Sequence, residues 1–256
     1  MKVTFLGTGT SQGVPVIGCT CSVCLSLDYR DKRLRSSVHI ETNGQSFVID
    51  TGPDFRQQML RENVRHIDAL IFTHAHRDHT AGLDDVRAYN YMQQMDMPVY
   101  GRASVLSQLR SEYAYAFSEE KFPGIPRLEL HEIGDDPFTL NNVRIVPLPV
   151  MHQHLPVLGF RINDFCYVTD ANFIPDETLE RMRGATVLVL NALQHEPHVS
   201  HFNLAQAIDK VQKIQPRKAY FTHISHRLGR HAVTSKALPE GISLAYDGLK
   251  IECQKQ

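Results

Sequence analysis

The amino-acid sequence predicts an α/β protein built from mixed β-sheets covered by helices. Three observations carry that expectation. Short apolar strands recur along the 256 residues, helical patterns lie between some of them, and hairpin signals stand both early and late. No repeat, low-complexity stretch or linker interrupts the order, and Pro and Gly are scattered as loop punctuation. Residues 1–256 are therefore expected to form one domain.

Residues 2–6 read as a short apolar strand. Residues 7–35 form a Gly-, Cys- and Arg-rich loop, a length uncommon unless the loop is functional or tied by a metal. Strands at 36–42 and 45–50 flank Asn43-Gly44, a two-residue hairpin signal. Pro53 opens a short helix over 53–62, and 67–73 reads as a buried strand ending at a His-rich turn. Helical patterns at 83–95 and 103–117 follow, then strands near 127–133, 143–148, 157–162 and 165–169. The aromatics of 88–92 and 113–117 are expected in the core, given their helical spacing. Pro175 opens another helix, and 185–190 is a buried strand. Leu204, Ala207, Ile208, Val211 and Ile214 recur at helical spacing, with Asn203 and Gln206 as a capping box. Strands near 217–222, 242–246 and 249–252 close the chain.

With 27 Lys+Arg against 28 Asp+Glu the formal charge is −1. That balance lacks the clustered positive field of non-specific nucleic-acid binding, and it leaves a small anionic substrate open. The basic run Arg30, Lys32, Arg33 and Arg35 is interleaved with Asp28 and Asp31 and reads as a solvated face. No apolar run reaches the ~18–20 residues of a spanning helix, and the start lacks a signal-peptide core. A cytoplasmic location is expected. Two counts stand out, 14 His and 5 Cys.

Three of the cysteines form Cys19-Thr20-Cys21-Ser22-Val23-Cys24, a poor disulfide framework and a better metal-binding one. Tetrahedral structural zinc takes four N or S ligands, so a fourth must come from elsewhere. The alternative is three reduced, inert thiols in a loop. Cys166 reads as a small buried hydrophobe, and Cys253 carries no signal.

The decisive stretch is Thr73-His74-Ala75-His76-Arg77-Asp78-His79, just past a buried strand. Neutral imidazoles and carboxylates are the ligands of Zn, Mn and Fe, and alternate residues of a turn can point at one centre. Here the chain resembles the metallo-β-lactamase fold superfamily, whose signature is H-x-H-x-D-H. The later signatures follow in order, with His152, Asp170 and His223 each after an expected strand. The resemblance implies an αββα four-layer sandwich of two mixed sheets flanked by helices, with a two-metal site along one edge. It implies that His74, His76 and His152 hold one divalent ion, zinc or manganese. Asp78, His79 and His223 would hold the other, and Asp170 would bridge both. A bridging hydroxide in such a site attacks a phosphoryl or acyl centre. Asp50 matches a carboxylate that orients ligand imidazoles from behind; the alternative is a turn residue before Gly52.

Two further features look like the PhnP family, phosphodiesterases that open a ribosyl 1,2-cyclic phosphate. One is the loop Gly7-Thr8-Gly9-Thr10-Ser11-Gln12-Gly13-Val14-Pro15 followed by C-x-C-x-x-C, and the other is Thr222-His223-Ile224-Ser225-His226. The resemblance makes Cys19, Cys21, Cys24 and His226 the ligands of one structural zinc. It also matches His201, just before a helix, to an active-site histidine that can protonate a leaving alkoxide; the alternative is a helix-start residue bonding only water or backbone. His201, Asp78 and Asp170 are the expected catalytic residues. His195 and His198 are weaker candidates, and His154 could line a pocket or sit in solvent.

The implied activity is a metal-dependent phosphodiesterase acting on a small cyclic or nucleotide-like phosphate ester. No membrane or nucleic acid is expected among its partners, and a homodimer is allowed. Two other families share parts of the pattern. A tRNA 3′-processing nuclease shares the histidine motif, but the basic bias is missing here and that family does not use a Cys₃His cluster. A PqqB-like carrier shares the fold and the cysteine loop, but the ligand set is complete here. Lactamase or thioesterase activity fits the carboxylate-rich pattern less well.

Overall fold

Near-continuous burial along most strands decides the layers, because side chains on both faces of each sheet are covered. The computed structural model describes residues 1–119 and 123–253. In chain order the strands are β1 (Lys2–Gly7), β2 (Ser37–Thr42), β3 (Gln45–Ile49), β4 (Ala69–Ile71), β5 (Met97–Gly101), β6 (Leu128–Glu132) and β7 (Phe138–Leu140). They continue as β8 (Val143–His152), β9 (Leu155–Ile162), β10 (Phe165–Val168), β11 (Val187–Asn191), β12 (Lys218–Thr222), β13 (Ile242–Leu244) and β14 (Lys250–Glu252). The helices are α1 (Phe55–Glu62), α2 (Arg77–Thr80), α3 (Arg87–Gln93), α4 (Ala103–Glu112), α5 (Asp176–Met182), α6 (Leu204–Ile214) and α7 (His231–Thr234).

Two seven-stranded sheets result, ordered β14-β1-β2-β3-β4-β5-β6 and β13-β12-β11-β10-β9-β8-β7. Each joins an antiparallel half to a parallel half. In the first, β14 to β3 pair antiparallel and β3 to β6 parallel. In the second, β7 to β10 pair antiparallel and β10 to β13 parallel. Phe5, Ile40, Phe47 and Ile71 of one sheet meet Ile145, Phe160, Phe165 and Tyr167 of the other in a shared core. On the outer face of the first sheet, Leu70 and Val99 pack under Phe55, Met59, Tyr89 and Leu109 of α1, α3 and α4. On the outer face of the second, Leu188, Leu190 and Phe221 pack under Met182, Ala207 and Val211 of α5 and α6. The layers run helix, sheet, sheet, helix, as expected, and fully burying each such side chain contributes ~1.5–3 kcal/mol.

Local signals explain several elements. Asn43 and Gly44 have φ of 52° and 76° between the paired Thr42 and Gln45, the geometry of a two-residue primed turn. The α6 capping box is formed, with Gln206 N–H donating to Asn203 Oδ1 and Asn203 N–H to Gln206 Oε1. Elsewhere the boundaries move. Pro53 lies in a turn and α1 starts at Phe55; the 83–95 and 103–117 patterns divide into α-helix plus 3₁₀ turns at Leu83–Val86 and Ala114–Phe117. Strand β8 runs on to His152 because β9 pairs with it that far, and Pro147 and Pro149 are tolerated because β7 pairs only with its first residues and leaves the other edge free. Tyr89 and Tyr113 are core, whereas Tyr91, Met92 and Tyr115 are exposed, because short helices bury only one face.

The 7–35 loop is held by bridges of Val14 with Arg33 and of Gly9 with Arg35 and Ile224. Arg33 departs from the solvated face expected of its run. It is buried and donates to Thr8 Oγ1 at 2.7 Å and to the Ala245 carbonyl at 2.6 Å.

Candidate metal centre and active site

Every residue of the expected two-metal set, and Asp50 behind it, follows or ends a strand. Asp50 follows β3, the His74 to His79 motif follows β4, His152 ends β8, Asp170 follows β10 and His223 follows β12. In α/β sheets the carboxyl ends of the strands are where ligands bind. Asp50, Asp170 and His223 have φ of 64°, 55° and 53°. A left-handed conformation is costly for non-glycine residues, and such strain collects at functional sites.

The side chains converge. Asp170 Oδ1 lies 3.0 Å from His223 Nδ1 and 3.4 Å from His79 Nε2, and its Oδ2 lies 3.3 Å from His201 Nε2 and 3.9 Å from His74 Nε2. Asp78 Oδ2 is 3.2 Å from His79 Nε2. The ring of His76 sits 4.6 Å from that of His74 and 5.1 Å from that of His152. Asp78, His79, Asp170 and His223 form one compact donor group, and His152, Asp170 and His201 form another sharing Asp170.

Supporting hydrogen bonds turn the right nitrogens inward. His79 Nδ1 bonds Asp50 Oδ2 at 2.7 Å, and Asp50 also accepts from Thr73 N–H at 2.9 Å and from Thr73 Oγ1 at 2.8 Å. Thr73 Oγ1, its proton given to Asp50, accepts from His74 Nδ1 at 2.9 Å. His152 Nδ1 donates to the Ser200 carbonyl at 2.8 Å. His74 Nε2 and His79 Nε2, whose other ring nitrogens are so occupied, and His223 Nδ1 are buried with no aligned hydrogen-bond partner. Buried polar atoms are normally satisfied, so three orphaned imidazole nitrogens beside two carboxylates fit a site built for cations.

Electrostatics agree. Burial raises the Asp170 carboxyl, but His223, His79 and His201 outweigh it and hold the group well below the usual carboxylate range. Burial alone pushes His79 down, yet Asp170, Asp78 and Asp50 surround it and raise it well above an ordinary imidazole. Burial depresses His74, and it takes His223 down to about 3. An ionised Asp170 and neutral His74 and His223 are the protonation states metal ligands need, whereas His79 holds a proton among three carboxylates that a cation there would displace.

The second cluster is equally compact. His226 Nδ1 lies 3.3, 3.4 and 3.5 Å from the Sγ atoms of Cys19, Cys21 and Cys24. A zinc tetrahedron with bonds of ~2.3 Å to sulfur and ~2.0–2.1 Å to nitrogen has S···N edges of about 3.5 Å. All five cysteines are free thiols. A backbone N–H of Cys24 helps hold the Cys21 thiol down to about 6, and burial pushes Cys24 up to about 11.

Residues 45–224 match the beta-lactamase superfamily domain. A solved structure described as a new diphosphatase from the PhnP family is 39% identical with a TM-score of 0.93, covering 99% of this chain and 98% of that one. The chain belongs to the metallo-β-lactamase superfamily and, within it, to the PhnP family. It is also 38% identical over 253 residues to an octanoyltransferase of Porphyromonas gingivalis, covering 98% of this chain and 51% of that protein. A ribonuclease Z of Anoxybacillus flavithermus is 29% identical over 167 residues, with 63% and 48% covered. The chain spans about half the length of these two curated relatives.

Sequence reasoning missed the residues that aim the donors. Thr73 connects Asp50 to His74, and Asn191, at the end of β11, clasps the backbone of Ala171 beside Asp170 with bonds of 2.8 and 2.9 Å. The one available signal for Asn191 was a polar residue directly after an apolar run. His195 bonds the Leu228 carbonyl and joins none of the donor groups, and His154 is exposed at the β8–β9 turn. Among the described residues no helix is long and apolar enough to cross a membrane.

Proposed function

We propose that this chain is a metal-dependent phosphodiesterase that cleaves a small cyclic or nucleotide-like phosphate ester. The observation that carries the proposal is the convergence of three partnerless buried ring nitrogens on Asp78 and Asp170, with His201 Nε2 at 3.3 Å from Asp170. His74, His76 and His152 would hold one ion, Asp78, His79 and His223 the second, and Asp170 both. Two divalent ions there, zinc or manganese, would supply Lewis acidity toward phosphoryl oxygens and lower the pKa of a water.

The chain's own side chains do the rest. Asp50 and Thr73 fix the orientation of His79 and His74, so donor geometry is set before any ligand arrives. His201 stands on the Asp170 side of the pocket, its ring stacked on His223 at 4.9 Å. From there Nε2 can give a proton to the departing oxygen, which matters most when that oxygen belongs to an alkoxide. Cys19, Cys21, Cys24 and His226 would hold a third ion, a structural zinc that anchors the 7–35 loop to the segment following His223.

A second reading is hydrolysis of a phosphate anhydride, favoured by the likeness to a PhnP-family diphosphatase. Both reactions are displacements at phosphorus. Purified protein loaded with zinc or manganese should be assayed against a ribosyl cyclic phosphate, a bis-aryl phosphodiester and a dinucleoside diphosphate. Turnover of the first two supports the phosphodiesterase; faster anhydride cleavage favours the second reading. Cleavage confined to precursor tRNA would point to the nuclease alternative, and a metal-loaded protein inert on every ester would point to a carrier.

A further inference from the structure

Behind His201 stand two groups that the proposed reaction leaves unused, the imidazole of His198 and the hydroxyl of Ser200. Ser200 N–H donates to His198 Nδ1 at 3.4 Å, so that ring nitrogen is an acceptor. Ser200 Oγ lies 3.3 Å from the same nitrogen and 3.0 Å from His201 Nδ1, and the two ring nitrogens are 3.2 Å apart. With His198 Nδ1 accepting, its one lone pair is shared between the N–H and the hydroxyl proton of Ser200, and an oxygen lone pair is left for His201. His201 Nδ1 is then the donor, and the form of the ring that gives a proton from Nε2 carries one on each nitrogen.

Stacking on His223, with the ring planes 13° apart, fixes the plane of the His201 imidazole. It does not choose which nitrogen faces the reaction, because a half-turn of the ring preserves the plane. The polar pair behind it makes that choice. The carbonyl of the same Ser200 accepts from His152 Nδ1 at 2.8 Å, so one residue sets both imidazoles that flank Asp170.

We propose that the Ser200 hydroxyl, seated by His198, is a positioning element that turns His201 Nδ1 backward and presents Nε2 to Asp170 and the leaving oxygen. This rests on the role proposed above for His201. The test compares kcat and KM of the metal-loaded enzyme on a cyclic alkyl phosphodiester and on an aryl phosphodiester. Ser200→Ala keeps the carbonyl that holds His152, so metal content should match wild type. Its kcat on the alkyl ester should fall about 10–100-fold, the usual effect of losing a supporting hydrogen bond, with KM nearly unchanged and a smaller loss on the aryl ester. Ser200→Thr should restore the rate, and Ser200→Ala should add nothing in a His201→Ala background. His198→Ala, at an exposed position, should repeat the pattern at lower amplitude.

Equal losses on both esters, a change in KM alone, or a further loss in the His201→Ala background would overturn the inference. So would wild-type kinetics in Ser200→Ala or His198→Ala. If His201→Ala itself leaves kcat intact, the reading of His201 fails and this one falls with it. A His201-dependent rate that ignores Ser200 overturns the positioning role alone.

Discussion

The two donor clusters are built on opposite principles. The histidine–aspartate pocket hangs from the ends of five strands, and its donors are fixed by partners that are themselves buried, chiefly Asp50 and Thr73. The Cys₃His cluster gathers three of its four donors from an irregular loop with only a small apolar centre, Val14, Val23 and Cys24. Around that centre Ile17 and Leu27 stand fully exposed. The pocket is therefore organised by the fold, whereas we propose that the cysteine loop relies on a metal to complete its order. The first cluster should lose its ion without losing its shape, and the second should lose both together.

Asp170→Ala should have the largest effect. It removes the shared carboxylate, so phosphoester hydrolysis should fall to background while the Cys₃His ion, read by metal analysis, stays bound. Loss of both kinds of ion would erase the distinction. His201→Ala should keep metal content and Tm near wild type and lower kcat on an alkyl ester by ~10²–10⁴, with a smaller loss on an aryl ester. Asp50→Asn should weaken metal affinity by roughly 10–100-fold, measured by chelator competition, since the group orienting His79 loses its charge and one of its two acceptor oxygens. Cys24→Ser should speed proteolytic cleavage within residues 7–35, seen by mass spectrometry, and leave the pocket's metal binding intact.

The smallest effect is one of pH. Burial and the adjacent Arg33 take His231 from its ordinary 6.5 down to about 4. Between those values the unfolded chain binds the proton and the folded one resists it, so stability falls as pH drops from about 6.5 toward 4. His231→Gln should flatten the dependence of Tm on pH over that window; an unchanged slope would remove His231 as its source.

The same contrast explains what the sequence disclosed. The pocket's donors were legible because six residues concentrate four of them and the rest follow strands in order. The capping box at Asn203 and the Asn43-Gly44 turn were legible because they are local chemistry. Strand β7, only three residues long, lacks enough alternation to register, and β9 begins two residues earlier than Val157 despite Pro156. The exposure of Tyr91 and the burial of Arg33 are set by tertiary packing, which periodicity does not encode. Thr73, Asn191 and Ser200 escaped for a related reason, since each acts through a neighbour brought close only by folding.

Metal content per chain, measured on purified wild type beside Asp170→Ala and Cys24→Ser, tests the central claim most directly. Wild type should carry about three ions, two in the strand-end pocket and one among the cysteines. Asp170→Ala should retain about one, and Cys24→Ser about two, with esterase activity following the pocket ions alone. A wild-type protein saturating at a single ion, or a Cys24→Ser variant that empties the pocket, would contradict two independently organised sites.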